Sequence, residues 1–144
     1  MSQDKAEVSM TKGEIQAMLD RSPFIRFCGM RVTEVDAERE RIVIVMPMRP
    51  ELERGAGTGQ YHGGPIASLI DVAGDFALVI RTRGGLPTIN FRVDYLRPAT
   101  STGLTATAWV RRAGRTVGVV DVDVHDDAGK LVAVGRGCYS MTVG

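Results

Sequence analysis

Several things are scarce or missing in this chain, and each absence excludes a class of protein. Two cysteines, Cys28 and Cys138, in 144 residues are too few for a disulfide framework. A chain of this length needs no staple, so both read as buried, reduced thiols. Charge of one sign is also lacking: 18 Lys+Arg against 17 Asp+Glu leave a net charge of +1. That balance excludes the electrostatic footprint of a general nucleic-acid binder or a polybasic membrane clinger. The first residues, Met1 to Glu7, are polar and carry acids, with no apolar run. No secretory signal is expected, and a cytoplasmic protein is. The longest apolar-rich stretch, 63–80, is interrupted by Pro65, Asp71 and Asp75, and acids at mid-span weigh against a membrane helix.

Two catalytic signatures are missing as well. There is no Gly-x-Ser-x-Gly elbow, and both cysteines lie in apolar, strand-like contexts, which argues against a serine or cysteine nucleophile. The glycines between 55 and 64 match neither a Walker loop nor a dinucleotide fingerprint. Nucleotide hydrolysis and a redox cofactor are therefore not expected.

What is present suits one domain over residues 1–144, with 1–11 a flexible leader by composition. Hydrophobic residues make up 44% of the chain, enough to bury roughly two thirds of the surface of the unfolded form. Ile15, Met18 and Leu19 recur at helical spacing within Lys12 to Asp20, and Pro23 stops that helix. Strands are expected at Met30 to Val35 and Arg41 to Met48, then at Pro87 to Leu96, Leu104 to Arg112, Thr116 to His125 and Leu131 to Thr142. Short turns between the later strands imply antiparallel pairing, so the fold class is α+β.

The segment from Gly63 to about Thr82 reads as the main helix. Ile66, Leu69, Ile70, Ala73, Phe76, Ala77 and Ile80 form one stripe at i, i+3, i+4, i+7 spacing, the face for the sheet. The opposite side carries Ala67, Val72, Leu78 and Val79, with Ser68, Asp71 and Asp75 as its polar members. A helix apolar nearly all round is a buried one, and a second subunit is expected to cover that other face. Asp71 and Asp75, one turn apart, then lie near an interface, where partial burial raises a carboxyl pKa and suits acid–base work. Just upstream, Tyr61-His62-Gly63-Gly64-Pro65 combines glycines that allow close approach with a proline suited to a first helical turn. Free N–H groups at that helix start could stabilise an oxyanion.

His62-Gly63-Gly64, six residues and then Asp71 (HGGPIASLID) resembles the hotdog-fold acyl-CoA thioesterases of the phenylacetate-pathway (PaaI-like) type, within the 4-hydroxybenzoyl-CoA thioesterase superfamily. The similarity continues through TINFRVDYLRPA, RAGRT and GKLVAVGRG, over roughly residues 25–142. The resemblance implies an antiparallel sheet wrapped around one long central helix, paired into dimers, or dimers of dimers, with active sites between subunits. It implies hydrolysis of an acyl-CoA thioester with no cofactor and no metal. Asp71 would act as general base or nucleophile, Gly63 N–H would polarise the thioester carbonyl, and His62 would hold the loop. Thr88 would reach in from the partner subunit. Gly64, Gln60 and Asp75 would lie around the substrate, and Arg112, Arg115 and Arg136 would meet the phosphates of CoA. One departure stands out. Ala56 occupies the position, six residues before the histidine, where many relatives carry Asn or Gln; Gln60 or Tyr61 are the nearby substitutes. This keeps open a weakly catalytic acyl-CoA binding module, alongside a hotdog hydratase or dehydratase using His62.

Elsewhere, Asp121, Asp123 and His125 alternate on one face of a strand and could bind a divalent metal. Val120, Val122 and Val124 on the other face make an amphipathic strand with a wet side the simpler account. Trp109 reads as core or interface.

Overall fold

The computed structural model describes residues 9–144. Most of the expected leader, residues 1–8, lies outside the described residues. The rest of it is built into the fold: Met10 is buried, and Thr11 caps the first helix, α1 (Lys12–Asp20). The Thr11 hydroxyl accepts from Glu14 N at 3.1 Å, and the Glu14 carboxylate accepts from Thr11 N at 3.3 Å. This reciprocal box satisfies two backbone donors that a helix start otherwise leaves open.

A second helix, α2 (Pro23–Cys28), was not expected from the sequence. Pro23 does stop α1, but its fixed φ also suits a first helical turn. Ser22 caps the new helix through Ile25 N, and Gly29 ends it in the left-handed conformation at φ 74°. The strands follow as β1 (Arg31–Asp36) and β2 (Arg41–Met46), then a single 3₁₀ turn at Pro50–Leu52, helix α3 (Gly63–Thr82), and β3 (Thr88–Tyr95), β4 (Leu104–Ala113), β5 (Val117–Asp126) and β6 (Leu131–Ser140). All pairings are antiparallel, in the order β1-β2-β4-β5-β6-β3.

The sheet curls around α3. Leu69, Ile70, Ala73 and Val79 are fully buried between them. Each large apolar side chain so buried contributes roughly 2 kcal/mol. By length and composition α3 could also cross a membrane; in this fold it is the core helix. Of the four apolar residues on the other side of α3, Ala67 and Val72 are half-buried. Leu78 and Val79 are buried within their own chain, and Leu78 presses so close to β5 that a Cβ at Gly118 would stand 2.6 Å from it. Of the large apolar side chains left exposed among the described residues, Ile89, Phe91 and Tyr95 lie on β3, an edge strand of the sheet, with Leu96 just beyond it; Phe24 and Phe27 on α2, Val117 and Val143 are the others.

Candidate active site

The site begins where α3 begins. His62 is the N-cap, with extended backbone (φ −65°, ψ 149°), and its Nδ1 accepts from Gly64 N at 2.9 Å. An accepting Nδ1 leaves the ring proton on Nε2. The backbone N of His62 donates to Leu52 O at 2.9 Å, which ties the loop to the 3₁₀ turn. Gly64 N–H is thus taken up by the cap. Gly63 N–H, by contrast, has no acceptor among the described residues. A tyrosine steadies this peptide from the other side: Tyr95 Oη donates to Gly63 O at 2.7 Å.

An open cleft of about 400 Å³ lies against this helix start, lined by Gly63, Gln60, Ile66, Tyr95, Arg54 and Arg97 among others. Both residues that could stand in for the Asn or Gln missing at Ala56, Gln60 and Tyr61, line this cleft. Tyr61 has its hydroxyl engaged elsewhere. It is buried, and its hydroxyl lies 3.0 Å from Thr102 O and 3.2 Å from Met46 O. Burial, with the charge of Asp127, pushes its phenol up to about 12.

Two turns into α3, Asp71 is half-buried and held at two points. Thr88 Oγ1 donates to its Oδ1 at 2.8 Å, and the hydroxyl of fully buried Tyr139 donates to its backbone carbonyl at 2.9 Å. Gly74 makes room for Tyr139, since a Cβ there would collide with the hydroxyl. Asp71 Oδ2 receives no hydrogen bond among the described residues and keeps its lone pairs for a water proton or an electrophile. Thr88 therefore serves the Asp71 of its own chain, where the resemblance had implied the partner's. Asp71 and Gly63 do not converge within one chain, because eight residues of helix separate them by about 12 Å.

Asp75 lies one turn further on, against the connection between α3 and β3. Its Oδ1 accepts from Leu86 N at 3.1 Å. Burial pushes its carboxyl up to about 7; the Leu86 N–H opposes the rise and the charge of Asp71 adds to it. The native state then holds a proton that the unfolded chain, near 3.8, has already released. Stability contributed by this proton is present in acid and lost as pH rises from about 4 to about 7. Asp75→Asn, which keeps the acceptor without the charge, should melt with the wild type near pH 4. Near pH 8 it should melt several degrees higher, with about 4 kcal/mol as the upper bound. A difference in melting temperature that stays constant across this range would contradict the assignment.

The arginines divide. Arg112 and Arg115 are exposed beside the β4–β5 turn. Arg136 is exposed too and is paired with an acid: its Nε and Nη2 contact Asp121 at 2.6 and 3.0 Å, and Arg111 approaches the same carboxylate at 3.4 Å. Hydrogen bonding from Arg136 holds the Asp121 carboxyl below its ordinary value. Asp121, one of the three conceivable metal ligands, is therefore engaged in an ion-pair cluster. No three His, Cys, Asp or Glu side chains among the described residues gather as a metal-binding group. Tyr95, Tyr139 and Leu86 N were not singled out from the sequence. Tyr139 reads as core by strand alternation, and nothing in its neighbourhood announces an acceptor 68 residues away.

A six-stranded antiparallel sheet wrapped around one long capped helix defines the hotdog fold. Comparisons with known proteins agree. The profile of the thioesterase superfamily matches residues 58–133. The medium/long-chain acyl-CoA thioesterase YigI of Escherichia coli is 31% identical over 83% of this chain and 85% of its own length. Human acyl-coenzyme A thioesterase 13 is 32% identical over 85% and 87%. The solved structure of the Escherichia coli PaaI protein, from the phenylacetic acid degradation operon, superposes with a TM-score of 0.79 at 28% identity. It covers 92% of this chain and 93% of that one. The chain belongs to the thioesterase superfamily, and its enzymatic class is thioester hydrolase.

Proposed function

We propose that the protein hydrolyses acyl-CoA thioesters at a site shared by two protomers. The carrying observation is the arrangement at the two ends of β3. At its start Thr88 grips Asp71, and at its end Tyr95 grips the Gly63 peptide. A base and an oxyanion donor must both come within about 3 Å of the reacting atoms, so the separation along α3 forbids a site within one chain. An edge strand with exposed apolar side chains is a ready template for pairing with a second copy. Antiparallel pairing of β3 across a two-fold axis would set the Gly63 end of one chain beside the Asp71 of the other, twice per dimer.

At such a site the thioester carbonyl oxygen accepts from Gly63 N–H. Asp71 either removes a proton from water as the water oxygen attacks the carbonyl carbon, or attacks that carbon itself to form a mixed anhydride that water then cleaves. In both routes the tetrahedral oxyanion is held at the helix start, the C–S bond breaks, and the CoA sulfur takes up a proton. Neither route calls for a metal or a cofactor. Gln60 lines the cleft beside Gly63, which supports it as the group that contacts the thioester in place of the residue missing at Ala56. Engagement of His62 Nδ1 in the helix cap counts against a hydratase in which that nitrogen moves the proton. Thiol release from a panel of acyl-CoAs tests the reading. Hydrolysis supports it; binding without turnover would favour the non-catalytic module, and water addition to an enoyl-CoA the hydratase.

Arg112 and Arg115 are the candidates for the CoA phosphates. Neutralising both should raise KM about tenfold at low salt with little change in kcat, because contacts kept equally in ground and transition states affect binding alone. The difference should shrink with added salt. It should disappear with an acyl-pantetheine, which lacks the nucleotide phosphates; equal impairment on that substrate would make the two arginines structural.

A further inference from the structure

Asp71 and Asp75 stand four residues apart on α3, and their partners Thr88 and Leu86 stand two residues apart at the entry to β3. The two spacings match, since four residues of helix rise about 6 Å and two residues of strand about 6.6 Å. The bonds Asp75 Oδ1 to Leu86 N (3.1 Å) and Asp71 Oδ1 to Thr88 Oγ1 (2.8 Å) thus form two rungs between segments running in opposite directions. We propose that Asp75 is a positioning residue for hydrolysis, holding Leu86 so that the strand entry delivers Thr88 to Asp71.

The surroundings show what Asp75 adds to the other contacts of this segment. The connection carries two adjacent glycines, Gly84 and Gly85, whose carbonyls accept from Thr82 Oγ1 at 2.9 Å and Gly144 N at 3.1 Å, while the Leu86 N–H is met by Asp75. Thr88 itself pairs with Tyr139 on β6, and Pro87 O accepts from Ser140 N at 2.9 Å; the register is interrupted just beyond, between Thr88 and Asn90. The first rung comes from the helical turn that follows Asp71, which ties the two carboxylates to one rigid element. Leu86 is buried, so its N–H would have no water to turn to if Asp75 were removed.

This inference rests on the reading of Asp71 as base or nucleophile, and a double-mutant cycle separates the two. Asp75→Ala should lower kcat about tenfold and leave KM within about twofold, the pattern of a group acting on the barrier alone. Asp75→Asn, which can still accept from Leu86 N, should stay within about threefold of wild type. In a Thr88→Ala background, adding Asp75→Ala should cause no further loss, because the rung it maintains is already gone. All rates are read well below each variant's melting transition. Asp75→Leu, which fills the space without an acceptor, is the second variant should the alanine not fold. Multiplicative losses in the cycle, or an asparagine variant as impaired as the alanine, would overturn the positioning role. Full turnover by Asp71→Asn would instead overturn the underlying reading of Asp71.

Discussion

Asparagine at position 71 should reduce turnover by about 10³-fold while acyl-CoA binding is retained, the scale expected when a positioned base is lost. Asparagine preserves the size of the side chain, and its Oδ1 can still accept from Thr88 Oγ1, so the 2.8 Å contact survives. What is lost is the ability to take a proton from water or to attack a carbonyl at neutral pH. The defect should therefore appear in kcat and not in the dissociation constant measured by calorimetry with a non-hydrolysable thioether analogue. Asp71→Ala should be comparably inactive. A variant with most of its turnover intact would remove Asp71 from the chemistry.

Removing the oxyanion donor tests the other half of the site. Gly63→Pro deletes the N–H at the first helical position, where proline fits the helix, and one such donor is worth about 10²–10³ in kcat. Gly63→Ala is the control. It keeps the N–H, and its Cβ would sit 3.1 Å from Tyr95 Oη, so a shift of a few tenths of an ångström accommodates it. The stronger test mixes Asp71→Asn chains with Gly63→Pro chains. If each site draws Asp71 from one protomer and Gly63 from the other, every mixed dimer contains one site with both groups intact. Random exchange should then restore about a quarter of wild-type activity, since about half the dimers are mixed and each has one good site of two. A site within one chain gives no restoration on mixing. Sedimentation of the same samples should show dimers at low micromolar concentration, and a folded, active monomer would contradict the shared site.

The particular residues show how far local information reached. The capped helix start at His62, the length of α3, the stripe of Ile66, Leu69, Ile70 and Ala73, and the six strands all follow from patterns a few residues long. So does the identity of Asp71 as the acid to examine, because it stands at a set spacing from His62-Gly63-Gly64. The helix at Pro23–Cys28 escaped notice because a proline both ends one helix and starts another, and the five residues that follow it carry no clear period.

The sequence by itself determined all the long elements but not α2, the antiparallel α+β class and the candidate residues of the site, because hydrophobic period, turn chemistry and capping act over a few positions. Only the tertiary structure decided which groups meet. It gave Thr88 to the Asp71 of its own chain, turned Asp75 onto Leu86 and Tyr139 onto the carbonyl of Asp71, and engaged Arg136 with Asp121. It also buried Leu78 and Val79 within the chain and left Ile89, Phe91 and Tyr95 of β3 exposed. Such pairings join residues from 11 to 68 positions apart, and they depend on how the sheet curls around the helix, which no local pattern encodes.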